Sequence, residues 1–439
     1  MKSLYLVLLT IAFGLLTINE LRAADGDLIF VGKSDIITYM DGRDFSNKTH
    51  PEFWTSMKTR LGVEKHFGDD IEFHVIFQDS RAWGQESGIT ANSKNVDLAQ
   101  GWMKFKNIFN QDLHLQLGRF QLDYGNGFVI GASAWNYIER SFDGAVVAYK
   151  YNNFNIDLFY ALHTASIATQ KRDISPAESS YPAVDYSGYN ILGLSSDYKI
   201  NDNHKLSLIA VSEMNSKKSD TRNVDLDRYT AGLSMNGIAG NFVYNGGVYY
   251  QFGNQGAKDI SAYAYLFKLT YNAKPWTFSI ANETNSGTDP LSDGSKINTF
   301  NNYLGAKHRF FGPMDYFSDM KIGSNSLGVN NYFVDIQLKP EDTKFSFNVT
   351  AYYFISNQKD INDNNYFKNK FGLGTKLGNE IDLGIKYNVM KGILVEWISG
   401  VFMPGAAMEE IWKINADNGD PILRNDPAFM SYLRFRLEF

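Results

Sequence analysis

Lys58 and Arg60 stand two residues apart in "MKTRLGVEKHF", and Arg434 and Arg436 repeat that spacing in the terminal "SYLRFRLEF". Residues i and i+2 of an extended chain share a face, so each pair makes a small cationic patch on one side of a strand. The same parity puts Lys104, Lys106, Lys150, Lys268 and Lys386 on wet faces, with Glu64, Glu72, Asp157, Asp382, Glu396 and Glu438 among them. Their chemistry is electrostatic: rows of this kind hold charged solutes, or they pair across strands and brace the wall. Covalent chemistry has little to work with. The chain has no Cys, which removes thiol nucleophiles, disulfides and thiolate metal sites. Of its 7 His, only His66 and His74 meet across a hairpin, and no serine motif accompanies them. With no metal-ligand cluster and no phosphate-binding loop, the chain reads as a non-enzyme with no catalytic residue, metal or cofactor.

The charged faces need elements to carry them, and the opposite faces say what those elements are. Met57, Thr59, Leu61 and Val63 oppose Lys58 and Arg60; Leu433, Phe435, Leu437 and Phe439 oppose Arg434 and Arg436. "NIDLFYAL", "AYAYLFKLTY", "KFSFNVTAYYF" and "EIDLGIKYNV" alternate in the same way. A period of two over a dozen or more segments specifies strands with one greasy and one wet face. The 439 residues carry 26 Tyr and 32 Phe, with 21% charged residues and a mean hydropathy of −0.30. Lipid-facing and lumen-facing residues average to such values in a membrane β-barrel. The net charge of −6 argues against a nucleic-acid partner.

The first residues indicate export. Lys2 precedes an apolar run from Leu4 to Ile18, and "NELRA" offers a cut after Ala23, so residues 1–23 read as a signal peptide. Residues 24–439 form one domain with no later stretch long and apolar enough for a membrane helix, so a membrane location requires a closed barrel.

The connections fix the architecture. Short turns fall at Phe67–Asp70, Asn107–Asp112, Tyr151–Phe154, Ile200–Lys205, Asn236–Asn241, Asn272–Trp276, Lys339–Lys344 and Asn388–Gly392. Long polar loops fall at Asp41–Glu52, Ala82–Asn95, Asp123–Phe142, Thr164–Asp185, Glu213–Asp225, Phe252–Asp259, Thr284–Gly328, Ser356–Thr375 and Pro404–Pro427. Eight turns alternating with nine loops join about eighteen strands: an all-β, antiparallel transmembrane barrel with both termini periplasmic. The last strand closes against the first, near Leu28–Met40, and the final Phe439 looks like the signal read by the outer-membrane insertion machinery. Trp83, Trp102, Trp276, Trp397 and Trp412 lie near predicted strand ends, where aromatic girdles meet the outer-membrane lipid, with Trp412 equally placed to be the core residue of a loop.

Leu113 to Tyr151 resembles the alginate-export family of Gram-negative outer-membrane proteins. The pieces that carry the likeness are Gly118-Arg119, Tyr124-Gly125-Asn126-Gly127, Trp135-Asn136 and Arg140-Ser141-Phe142-Asp143-Gly144. "FQDSRAWGQ" and "LGAKHRFFGPMDYF" are similar to members from Bacteroidetes. The resemblance implies a porin-like barrel whose arginine-rich channel conducts an anionic polysaccharide. A uronate polymer carries about one carboxylate per sugar, so its path needs compensating positive charge, for which the planar, permanently charged arginine is suited.

On this reading the channel and substrate-binding residues are Arg81, Arg119, Arg140, Asp143, Tyr124, Arg60, Lys58 and Lys104. Two of them break parity. Arg119 shares a phase with Leu113, Leu115 and Leu117, and Arg81 with Phe73, Val75 and Phe77, which would aim both at lipid. A bulge at Gly118, or a matching one before Arg81, would turn them inward, and both are expected in the lumen near the extracellular half. The loop Asp123–Phe142 is expected to fold inward and constrict the channel, with Arg140 and Asp143 touching solute or pairing with the wall. Three functions fit: a passive channel for an anionic or mixed-charge poly- or oligosaccharide, a general porin for small hydrophilic solutes, or a plugged structural or adhesive barrel.

Overall fold

The computed structural model describes residues 28–47, 49–84, 96–163, 189–215, 225–290, 292–358, 375–415 and 425–439. Residues 1–23, expected as a signal peptide, lie outside these residues, as do the whole of the loop foreseen at Thr164–Asp185 and the centres of those at Ala82–Asn95, Glu213–Asp225, Ser356–Thr375 and Pro404–Pro427.

Eighteen antiparallel wall strands run in sequence order, each paired to its chain neighbours. Closure comes from the first strand, Leu28–Gly42, which pairs on one side with the second, Glu52–Phe67, and on the other with the last, Ala428–Glu438. The seam runs from Lys33↔Glu438 to Gly42↔Phe429, and Gly32 and Phe439 exchange two backbone hydrogen bonds of 2.9 Å below it. Every wall strand thereby has a neighbour on both sides, which is what lipid demands of a backbone that water cannot reach. A two-residue strand, Lys296–Ile297, lies parallel to Asp259–Ile260, where the twelfth strand outruns the thirteenth, and covers the exposed edge.

Side-chain burial separates the two faces. Phe267 is 48% exposed on the outer face, Lys58 only 6% on the inner. All eight short turns fall where the sequence places them. The loop expected near Phe252–Asp259 does not exist as such: the eleventh strand runs to Gln255, the twelfth starts at Lys258, and Gly256-Ala257 alone connect them. Polar composition misleads there because a hairpin that rises beyond the bilayer is wet on both faces and reads like loop.

The lumen holds its own core. The segments between the fifth and sixth strands (residues 121–141) and between the thirteenth and fourteenth (286–328) both fold inside. A helix, Ala406–Asn415, joins them. They bury Phe128, Ile130, Phe300, Phe311, Met314, Phe317, Met408 and Ile411 almost completely. Phe128 packs on Tyr249, Phe300 and Phe310 with ring centroids 5.0, 5.5 and 5.0 Å away, and Phe317 packs on Phe354 at 4.8 Å. The two segments approach backbone to backbone: Gly131 N donates to Leu304 O at 2.9 Å and Ala306 N to Gly127 O at 2.8 Å. A Cβ on Gly131 would fall 2.8 Å from the Ala306 side chain, and one on Gly305 only 2.2 Å from Phe128 O, so these positions are glycine. The expected inward loop is present, and residues 286–328, which carry "LGAKHRFFGPMDYF", fill the barrel beside it.

Candidate functional site

Strand parity delivers Lys58 and Arg60 to the lumen, as it does Arg434 and Arg436. The first strand supplies Asp35 between them, paired in register with Lys58 on one side and Arg436 on the other. Asp35 receives Arg434 Nη2 at 2.8 Å and Arg436 Nε at 2.9 Å and is 2% exposed. Glu396 lies 3.0 Å from Lys386 and 3.7 Å from Arg434. Five cations on the second, sixteenth and eighteenth strands thus line one sector of the wall, their counter-ions alternating among them.

Lys58 and Arg60 find theirs on the inner segment instead. Glu139 lies 2.8 Å from Lys58 Nζ and 2.7 Å from Arg60 Nη1, and accepts a hydrogen bond from Gln121 at 3.0 Å. Burial alone would raise its carboxyl, but Lys58 and then Arg60 outweigh that and hold it below the usual carboxylate range. The same stretch hands over backbone carbonyls: Lys58 Nζ donates to Ala134 O at 2.7 Å and Asn136 O at 3.1 Å, and Ser80 Oγ to Tyr137 O at 2.7 Å. Arg60 also donates from Nε to Gln78 at 2.8 Å, while its Nη2 has no hydrogen-bond partner.

A cavity of about 200 Å³ adjoins this cluster, lined by Asp35, Arg43, Lys58 and Arg434 from the wall side and by Trp135, Asn136, Tyr137 and Asp315 from the inner segments. Trp135 stacks there on His308 at 3.9 Å, and the Arg434 guanidinium lies 5.2 Å from its ring centroid. A second chamber of about 300 Å³ lies across the inner segment, with Tyr124, His114, Lys150, Asp157 and Asp197 around it. Tyr124 stacks on Phe159 at 5.2 Å and faces the chamber together with Asp157. Lys104 is lumenal as expected, with its ammonium 5.6 Å from the Trp102 ring centroid.

Between the thirteenth and sixteenth strands the wall is acidic. Glu283 accepts from Phe311 N at 2.7 Å and Glu380 from Met314 N at 3.1 Å, so two wall carboxylates tether the inner segment 286–328. Asp382 stands beside Glu380, 2% exposed.

Three of the expected site residues lie elsewhere. Arg119 and Arg81 keep the outward phase. Arg119 pairs in register with Gly101 and Asp143, and its Nη1 meets the Asp143 carboxylate at 2.9 Å on the outer wall. Arg81 pairs with Met57 and donates to Asp79 at 2.8 Å. Gly118 does take a positive φ of 126°, yet the ladder past it shows no register shift, so nothing turns Arg119 inward. Each arginine is matched by a carboxylate near the extracellular end of its strand, where a charge on the outer face costs little. Asp143 is therefore an outer-wall residue too. Arg140 is inside but spent: its guanidinium donates to the carbonyls of Leu304, Gly305, Gly131 and Tyr303 and clamps the two inner segments together. Trp102 likewise leaves the foreseen girdle for the lumen, stacking on His74 at 4.8 Å, and Trp412 packs on Phe45 at 5.1 Å. Glu139, Asp35 and Arg43 escaped the sequence reading as site residues. Asp35 follows from parity once the first strand's register is known; nothing local marks the other two.

Residues 55–417 match the family described as alginate export. Among curated proteins, none matches in sequence. Among solved structures, OccK11 (OpdR) of Pseudomonas aeruginosa superposes with a TM-score of 0.57 at 11% identity, over 93% of this chain and 96% of that one. The outer membrane protein OpdK of the same organism gives 0.55 at 11%, over 94% and 98%. OccAB2 of Acinetobacter baumannii gives 0.55 at 12%, over 93% and 98%. At such identities the shared property is the barrel itself.

Proposed function

The chain belongs to the alginate-export family and is an outer-membrane β-barrel of channel type, and from that premise we propose that it conducts an anionic or mixed-charge poly- or oligosaccharide. One observation supports this reading: the cationic sector of Lys58, Arg60, Arg434 and Arg436 adjoins the 200 Å³ cavity inside the barrel. A chain of carboxylates crossing a narrow pore loses hydration, and fixed guanidinium and ammonium groups replace it. The paired carboxylates Asp35, Glu139 and Glu396 keep these cations from trapping a polyanion, because each solute carboxylate exchanges with a resident one. The inner segments fill so much of the lumen that conduction requires them to shift.

The reading includes a cleaved secretory segment over residues 1–23, checked by N-terminal sequencing of the mature protein, which should begin at Ala24. It also includes assembly through the insertion machinery at Phe439. Planar-bilayer recording tests the channel. Currents modulated by a uronic-acid oligomer, and lost as anion selectivity when Lys58→Met and Arg60→Met are combined, support it. Conductance indifferent to uronates identifies a general porin instead. The filled lumen favours a third outcome, a plugged barrel, which would show no conductance at all.

A further inference from the structure

The five cations of the cationic sector divide into two kinds. Arg434, Arg436 and Lys386 are neutralised by residues of the wall itself, Asp35 and Glu396, whereas Lys58 and Arg60 are neutralised by Glu139, which belongs to a segment laid against the wall. What that segment presents is chemically distinctive. Within about 3 Å of the wall it offers one carboxylate, on Glu139, and the carbonyl oxygens of Ala134, Asn136 and Tyr137. Taken together, this is the oxygen pattern of a uronate sugar: one carboxylate with neutral oxygens a few ångströms away.

We propose that Lys58 and Arg60 form a carboxylate-binding seat, that Glu139 occupies it as an internal stand-in for the solute, and that a solute carboxylate displaces Glu139 and frees the segment 121–141. The idea rests on the proposed function in taking a uronate as the natural occupant. Three further features carry it. The Nη2 of Arg60 is buried and has no hydrogen-bond partner, so the fork is only partly used by Glu139 and a bidentate carboxylate uses it fully. The cavity of about 200 Å³ opens beside Lys58 and is roofed by Trp135, Asn136 and Tyr137 of the same segment, so a solute reaches the seat along the face that the segment covers. A buried ion pair contributes little net stability over its desolvation cost, so exchange of one carboxylate for another is nearly balanced, as a displaceable stopper requires. The seat is thus a binding site and a gate at once.

The experiment is planar-bilayer recording of the full-length protein with a uronic-acid tetrasaccharide, sodium acetate and the neutral maltotetraose as probes. Glu139→Gln removes the competing charge. The tetrasaccharide should then act at a concentration about tenfold lower or more, the factor by which a seat occupied nine parts in ten by its own loop is released. Maltotetraose should act alike on both proteins. An unchanged uronate concentration dependence, or an equal gain for the neutral sugar, would overturn the proposal and make Glu139 a brace. A tetrasaccharide without effect on either protein, with acetate acting more strongly on Glu139→Gln, upholds the seat and sinks the polysaccharide reading. Tetrasaccharide and acetate both without effect on either protein overturn the seat.

A second variant works even where Glu139→Gln fails to fold. The chain has no native Cys, so Ser80→Cys with Tyr137→Cys can tie the segment to the wall where Ser80 Oγ now meets Tyr137 O. The uronate response should vanish in the oxidised protein and return with dithiothreitol. A response that persists while the disulfide is closed refutes displacement.

Discussion

Replacing Arg140 by Ala should undock the inner segments while leaving the wall intact. Arg140 donates to four carbonyls, but they are not equally dependent on it. Leu304 O also accepts from Gly131 N, and Gly305 O from Ser133 Oγ, so the loss centres on Gly131 O and Tyr303 O. At roughly 1.5–3 kcal/mol for each hydrogen bond from a charged donor, the two together come to about 3–6 kcal/mol of docking free energy. That corresponds to a shift of about a hundredfold to ten-thousandfold in the docking equilibrium. The wall ladders share none of these bonds, so the effect should be local. Amide hydrogen exchange followed by mass spectrometry is the assay. Peptides holding Gly131 and Ala306, whose N–H groups tie one inner segment to the other, should exchange at least about a hundredfold faster in Arg140→Ala, and wall peptides should not change. Arg140→Lys should fall between, since a single ammonium cannot span four acceptors in a fork. Protection left unchanged at both amides would refute the clamp and return Arg140 to the set of solute-binding candidates.

Other consequences follow from the same geometry. Asp143→Ala strands Arg119 on the outer wall near the extracellular interface and should cost no more than about 1 kcal/mol in urea unfolding in detergent, with Arg119→Leu in addition restoring stability and conductance unaffected in both; altered ion selectivity would put the pair in the lumen after all. A Cβ on Gly144 would sit 2.0 Å from Tyr160 O, a backbone atom of the neighbouring strand that cannot rotate away, so Gly144→Val should lower the yield of heat-modifiable, closed barrel; an unchanged yield would refute the close approach of the two strands. The pH response should follow Glu139. Its carboxyl is held below the usual range in the folded protein, so its anchoring contribution is complete above the ordinary carboxylate pKa of about 4 and is lost as pH falls through the lower folded value. Conductance should therefore be flat from neutrality down to that range and rise only in stronger acid; a step near pH 6–7 would contradict the assignment.

Much of the wall is legible in the sequence because its rules are local. Leu433, Phe435 and Leu437 against Arg434 and Arg436 specify a strand and its facing without any knowledge of partners, and the eight turns need only Gly, Asn, Asp and Lys between alternating runs. Facing held even where it looked wrong. Arg81 and Arg119 stayed in the outward phase that parity assigns, and the supposed bulge at Gly118 was an escape the molecule does not use, because Asp79 and Asp143 already neutralise the two arginines where they stand. Trp102 shows the same point from the other side: its parity with Lys104 outweighs the expectation that a tryptophan near a strand end belongs to the lipid belt.

The contents of the lumen were another matter. That Glu139 meets Lys58 and Arg60, that Arg140 spends itself on the carbonyls around Leu304, and that Glu283 and Glu380 hold Phe311 and Met314 are contacts between segments tens to hundreds of residues apart. Strand periodicity comes from the pleat, a property of each few residues, and so the chain alone determined a barrel of about eighteen strands and which face of each strand is wet, while the exact strand count came with the closed sheet. Irregular segments have no period to read. Where 121–141 and 286–328 lie is set by burial of Phe128, Phe300 and Phe317 against one another and by which wall charges lack a partner, and both become defined only once the cylinder has closed around them.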